Sequence, residues 1–198
     1  MHNTLSQQLT ASQKKAVFHN EGPLLVLAGP GSGKTRVITY RIAALIDSGV
    51  RPYNICAITF TNKAAEEMRQ RAFVLGASAG AHISTFHSLC VRILRQYADQ
   101  AGIHPNFSIY DDSDQARCIK LAVKECRLDT TNFSPARMLD AISTLKNKLI
   151  DAESFRTGAN DFFSIKLAEI YLSYQNILSE LNGLDFDDLL MKTAFLLR

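Results

Sequence analysis

Eight consecutive residues, Ala28-Gly29-Pro30-Gly31-Ser32-Gly33-Lys34-Thr35, combine the features that phosphate chemistry needs. Glycines at 31 and 33 let successive backbone N–H groups turn inward around an anion, in conformations that a side chain would block. Lys34 adds a mobile positive charge for β- and γ-phosphates, and Thr35 offers its hydroxyl to Mg²⁺. A helix opening at Lys34 would point its positive end at the same anion. The plain alternative is a Gly/Ser-rich turn that happens to contain Lys-Thr. What separates the two is the chain on either side.

The loop matches the Walker A pattern with Ala28 in place of the usual first glycine. Before it, Leu24 to Ala28 is a wholly apolar, β-prone run bounded by Gly22-Pro23 and the glycine loop. That reads as a strand buried on both faces, as in a parallel sheet. After it, Lys34 to about Ser48 places Val37, Ile38, Ile42, Leu45 and Ile46 on one helical face, with Gly49 as the C-terminal stop. Upstream, Thr10 and Gln13 have the spacing of a capping box, followed by Ala16 and Val17, in a helix that ends near Asn20. Downstream come a second strand at Ile55 to Phe60, a helix from Lys63 to Leu75 started by Asn62 and stopped by Gly76, and a third strand at His82 to Thr85. This alternation predicts an α/β doubly wound parallel sheet. Beyond Tyr97 the pattern becomes helical, with no convincing strand from Asp111 to Asn182. Asp112 with Gln115, Ser134-Pro135 and Asp161 mark three helix starts, and Asp185 opens a last one through Leu196.

The composition bounds what these elements can serve. With 198 residues and 46% hydrophobic content, the chain holds one domain core and a small insertion. Its 22 Lys+Arg against 19 Asp+Glu neither demand nor exclude a nucleic-acid partner. No signal-like start and no apolar run near the ~20 residues of a membrane span appear, so a cytoplasmic protein is expected. Cys56, Cys90, Cys118 and Cys126 lack the short paired spacings of zinc ligands and read as reduced core thiols, Cys118 and Cys126 through packing on one helical face.

A phosphate loop alone leaves kinases, GTPases and motors open. Three further segments narrow the choice: Leu9-Thr10-Ala11-Ser12-Gln13, Ile58-Thr59-Phe60-Thr61-Asn62-Lys63-Ala64-Ala65, and Ser84-Thr85-Phe86-His87-Ser88-Leu89-Cys90. They resemble the Q motif, motif Ia and the TFHS motif of superfamily 1A DNA helicases, the UvrD/Rep/PcrA group, closely from Leu9 to about Leu94. More loosely, the helical region resembles that family's inserted subdomain, and Leu184-Asp185-Phe186-Asp187-Asp188-Leu189-Leu190 resembles the return segment before the Walker B strand.

The resemblance implies a RecA-like P-loop NTPase sheet, incomplete here, with residues 1–110 as its first part, 111–183 as an all-α insertion and 184–198 as the return. It implies ATP and Mg²⁺ as cofactors. The nucleotide would be held by Gln13, by Ala28, Gly29, Pro30, Gly31, Ser32, Gly33, Lys34 and Thr35, and by Arg36 near the base, with Thr35 on the metal. The Gln13 amide suits adenine N6 and N7. Single-stranded DNA would meet Thr59, Phe60, Thr61, Asn62, Lys63, Thr85 and His87 at strand ends, with Phe60 stacking on a base. Each has a structural alternative: a cap for Gln13, a solvated charge for Arg36, a core aromatic for Phe60, a satisfied structural histidine for His87. Arg69, Arg71, Arg92 and Arg95 receive no role, and Asp185, Asp187 and Asp188 read as helix capping rather than metal ligands.

The expectation is therefore the N-terminal part of an ATP-dependent DNA helicase that translocates on single strands and unwinds duplex junctions, 3′ to 5′, in DNA repair or replication. Its partners would be DNA and the remaining helicase domains, with no membrane. The Walker B carboxylates and arginine fingers are expected beyond Arg198, so these residues alone should not turn ATP over. A helicase-nuclease subunit, a stand-alone nucleotide and single-strand binding module, and a small-molecule kinase are the alternatives. The kinase leaves Phe60 to Lys63 and Thr85 to His87 unexplained.

Overall fold

The structure, a computed structural model, describes residues 7–77 and 80–198. One compact unit runs to Phe86, and a second from His87 to Arg198.

In the first unit, helix α1 (Ala11–Val17) opens on the predicted capping box. Thr10 Oγ1 accepts from the Gln13 backbone N–H, and Gln13 Oε1 accepts from the Thr10 N–H. Helix α2 (Lys34–Asp47) begins at Gly33, whose left-handed φ of +87° a side chain would resist. Strand β1 (Cys56–Thr59) leads into helix α3 (Asn62–Val74), and strand β2 (His82–Thr85) pairs with β1 in parallel, Thr59 opposite Thr85. The α3 N-cap is Thr61 rather than Asn62, because the Thr61 hydroxyl reaches the Ala64 N–H at 3.1 Å. Ile42, Ala43, Ala57, Met68, Ala72 and Ile83 form the core of this α-on-β layer.

The segment Leu24 to Ala28 departs from expectation. It pairs with no described strand, and its residues are exposed: Leu25 82% and Leu27 86%, against Leu24 43% and Val26 45%. The period-2 alternation is that of an extended strand with one face half covered. Burial on both faces needs helices packed over each face of a sheet that contains the strand, and among the described residues Leu24 to Ala28 joins no sheet. Ile38 is likewise exposed rather than part of the α2 apolar face.

The second unit begins within helix α4 (Phe86–Gln96). Strand β3 (Ser108–Tyr110) pairs in parallel with strand β4 (Gly183–Asp185), across helices α5 (Asp112–Glu125), α6 (Pro135–Asn147), α7 (Ala152–Gly158) and α8 (Phe162–Glu180). Helix α9 (Phe186–Leu196) follows β4 directly. The interior of α5, α6 and α8 is packed around Ile119, Val123, Met138, Ile142, Ile170 and Tyr171. The α5 cap is Asp111, whose Oδ1 takes the Ser113 and Asp114 N–H groups, not Asp112. Three residues are too few to show a period, so β3 and β4 left no readable trace in the sequence. Asn182 adopts the left-handed turn before β4, with φ +50°.

Cys90 and Cys118 are buried and Cys126 packs against the second core, but Cys56 is exposed at the start of β1, so only three of the thiols are packed as expected.

Candidate functional site

The glycine loop is shaped by two left-handed residues, Gly31 at φ +74° and Gly33 at φ +87°. A Cβ at Gly29 or Gly31 would meet nothing within 4 Å, so both positions are open space in the loop. Lys34 Nζ lies across it, donating to the Ala28 carbonyl at 3.0 Å and the Gly29 carbonyl at 2.8 Å. Ser32 Oγ donates to the same Gly29 oxygen at 2.7 Å. An ammonium held only by neutral carbonyls is a cation ready to exchange them for an anion, and hydrogen bonds to charged groups are the stronger kind. The loop, the lysine and the start of α2 therefore fit a polyphosphate, and the partly exposed Thr35 at the second helical position can supply the hydroxyl for its Mg²⁺.

Beside the loop is a cleft of ≈ 310 Å³ lined by Gln13 and Lys34 together with Ala16, Val26 and Val37. Its mixture of an amide, a cation and an apolar wall suits a base joined to phosphates. Gln13 does cap its helix, as the structural alternative held, yet its Nε2 also donates to the Ser32 carbonyl at 3.0 Å, tying the first helix to the loop. Arg36 is placed differently. Its guanidinium lies 5.6 Å from the Tyr40 ring centre, in a separate cleft of ≈ 510 Å³ with Gln70, Arg71 and Val74, outside the cleft that contains Gln13.

The parallel pairing of β1 and β2 brings Thr59 and Thr85 to one sheet edge. Phe60 is 90% exposed, so it is no core aromatic. Asn62 and Lys63 stand exposed in the first turn of α3, which contains no acidic residue. Thr61 spends its hydroxyl on the cap, and Thr85 is buried at 7% exposure. In the second unit His87 is half-buried, edge-on to Phe186 at 5.5 Å.

One charged group in the second unit escaped the sequence. Lys146 on α6 is fully buried, 2.5 Å from Asp185 Oδ2 and 2.8 Å from Asp188 Oδ1. Tyr174 donates to Asp185 Oδ2 at 2.9 Å, and Asp185 and Asp188 also cap α9 reciprocally. Burial drives the Asp188 carboxyl above its ordinary value, while Lys146 opposes this; burial and then Asp185 push the Tyr174 phenol up. The capping read from sequence is present, but the cation was missed. Its signal was its place: Met138, Ile142 and Lys146 recur every four residues along the buried stripe of α6. The largest cleft described, ≈ 570 Å³ between Asp99, His104, Phe107, Gln175 and Lys192, belongs to this unit and contains none of the predicted residues.

Among the described residues, no helix is long and apolar enough to cross a membrane, and no group of three His, Cys, Asp or Glu side chains could hold a metal ion.

Comparison with known proteins bears on the same segments. The chain is 50% identical over 194 residues to the ATP-dependent DNA helicase PcrA of Staphylococcus epidermidis, and 48% identical over 194 residues to that of Staphylococcus aureus. In both cases 96% of this chain is covered but only 27% of the relative, so the chain spans about a quarter of the length of these helicases. Residues 9–198 match the UvrD/REP helicase N-terminal domain, from the Thr10–Gln13 cap to the last helix, and the chain belongs to that family.

Proposed function

We propose that this chain is the ATP-binding N-terminal part of an ATP-dependent DNA helicase that moves along single-stranded DNA and unwinds duplex junctions. The observation that carries it is the Lys34 ammonium resting on neutral carbonyls across the Gly31–Gly33 cradle, next to the Gln13 amide. Bound ATP with Mg²⁺ supplies the γ-phosphoryl group whose hydrolysis drives movement. Lys34 exchanges the Ala28 and Gly29 carbonyls for phosphate oxygens, Thr35 offers its hydroxyl to the metal, and Gln13 meets the adenine edge. Arg36 leaves Tyr40 if it is to approach the base.

Single-stranded DNA is met by exposed Phe60 as a stacking surface, with Asn62, Lys63 and the α3 N-terminus on the backbone phosphates. Thr59 and Thr85 hold the strand ends from which this surface projects, Thr61 fixes the helix start, and His87 supplies a separate contact from the second unit. The alternating exposure of Leu24 to Leu27 supports a RecA-like sheet whose remaining strands belong to the rest of the protein. On that reading residues 1–110 begin the domain, 111–183 are its insertion and 184–198 return to it. The family's 3′ to 5′ polarity, a role in DNA repair or replication and a cytoplasmic location follow from the same relationship.

The test is ATP hydrolysis by the full-length protein with and without single-stranded DNA. Stimulation by DNA, lost in Lys34→Ala, is expected, whereas residues 1–198 alone should show no stimulated turnover. DNA-independent turnover in the full-length protein would reject the helicase reading in favour of a different P-loop enzyme.

A further inference from the structure

The Gln13 side chain is held at both ends by main-chain groups of opposite character. Its Oε1 accepts from the Thr10 N–H at 3.1 Å, and its Nε2 donates to the Ser32 carbonyl at 3.0 Å. A reversed amide would set N–H against N–H at Thr10 and oxygen against oxygen at Ser32, so both neighbours select the same orientation. The close approach depends on Gly33, where a Cβ would come within 3.0 Å of Nε2.

A primary amide has two N–H donors and two lone pairs on its oxygen. With one of each committed, Gln13 keeps one donor and one acceptor side by side, the complement of adenine, which offers an N6–H donor beside the N7 acceptor. Guanine presents two acceptors, O6 and N7. To serve both, the amide would have to turn its whole NH₂ to the base and give up both the Thr10 N–H and the Ser32 carbonyl.

We propose that the Thr10 N–H and the Ser32 carbonyl are specificity-positioning groups that lock the Gln13 amide in the adenine-reading orientation, so that preference for ATP over GTP is built into the contact between α1 and the phosphate loop. The proposal rests on the reading of Gln13 as the adenine contact. It adds that the contact alone does not discriminate: a Gln13 amide free to rotate accepts either purine.

The N-cap position allows the lock to be removed by itself. Thr10 has φ −68°, which proline adopts, so Thr10→Pro deletes the N–H and keeps that backbone angle. Thr10→Ala keeps the N–H and loses only the hydroxyl cap that both variants lack. Affinities for ATP, GTP and inorganic tripolyphosphate are measured by calorimetry on the 198-residue chain and both variants, with helicity checked by circular dichroism. The parent chain and Thr10→Ala should prefer ATP to the same degree. Thr10→Pro should lower the ATP-to-GTP ratio about two- to tenfold, the factor for one net hydrogen bond, with tripolyphosphate affinity unchanged. An ATP preference retained in Thr10→Pro, or lost equally in Thr10→Ala, overturns the lock. Equal binding of ATP and GTP by the parent chain would instead overturn the Gln13 contact itself, and no binding of any of the three would overturn the nucleotide site.

Discussion

A large aromatic ring that is 90% exposed at the end of a strand gives up the burial that would stabilise the fold, and Phe60 is such a ring. Its neighbours Asn62 and Lys63 are exposed on the same helix start. For Phe60→Ala, folding stability should change by less than about 0.5 kcal/mol, as for surface substitutions elsewhere, because no buried contact is lost. Binding of a fluorescently labelled single strand should fall by about 1 to 3 kcal/mol, the value of one base–aromatic stack, with little dependence on base sequence. Affinity should also drop steeply as salt is raised, since the other contacts are to phosphates. A Phe60→Ala chain that unfolds early, or binds the strand as tightly as before, would return Phe60 to a structural role. At this scale the sequence showed the type and spacing of Gly31, Gly33, Lys34 and Thr35, which fix their chemistry locally. It did not show that Thr85 is buried, which depends on side chains brought in from other elements, whereas Arg36 and Tyr40 are four apart on α2 and their contact is local.

Between elements, the strongest single constraint described is the contact of α6 with the start of α9 through Lys146, Asp185 and Asp188. Removing the cation would leave two buried carboxylates facing each other. Lys146→Met should cost roughly 3 to 5 kcal/mol, the range for breaking one side of a buried ion pair, measured by urea unfolding. Asp188→Asn leaves the Lys146–Asp185 pair balanced and should cost less. The pH dependence has a definite sign. The folded-state value of Asp188 is raised above 3.8 by burial, so its contribution to stability is full below that pH and declines as pH rises through the folded value. As pH rises above about 4, Asp188→Asn should therefore gain stability relative to the parent chain. A gap that widened in the opposite direction would mean that Lys146 outweighs burial at this carboxyl. Helix boundaries marked by Thr10, Asp161 and Asp185 were legible because a capping residue acts within three positions. The ion cluster was not, because Lys146 and Asp185 are far apart in sequence and only the fold makes them neighbours.

For the molecule as a whole, the expectation of strand and helix alternation holds for β1, α3 and β2, while Leu24 to Ala28, expected as a buried strand, is assigned to no strand and stands exposed. The apolar run Leu24 to Ala28 predicted a strand buried on both faces, and the exposure of Leu25 and Leu27 contradicts that expectation, because apolar character alone does not say what covers a segment. The residues proposed to hold the phosphates, by contrast, all lie within the first unit, from the Gln13 amide to the start of α2. Nucleotide binding should thus survive in the 198-residue chain where turnover does not. An arginine finger alone accounts for ~10³ to 10⁵ in rate, and it and the Walker B carboxylates are expected in the remainder of the protein. The most direct measurement is titration of the 198-residue chain and its Lys34→Ala variant with a fluorescent ATP analogue and Mg²⁺. Saturable binding by the parent chain, severely weakened or absent in the variant, is the predicted result, and equal affinity of the two would contradict the assignment of the loop.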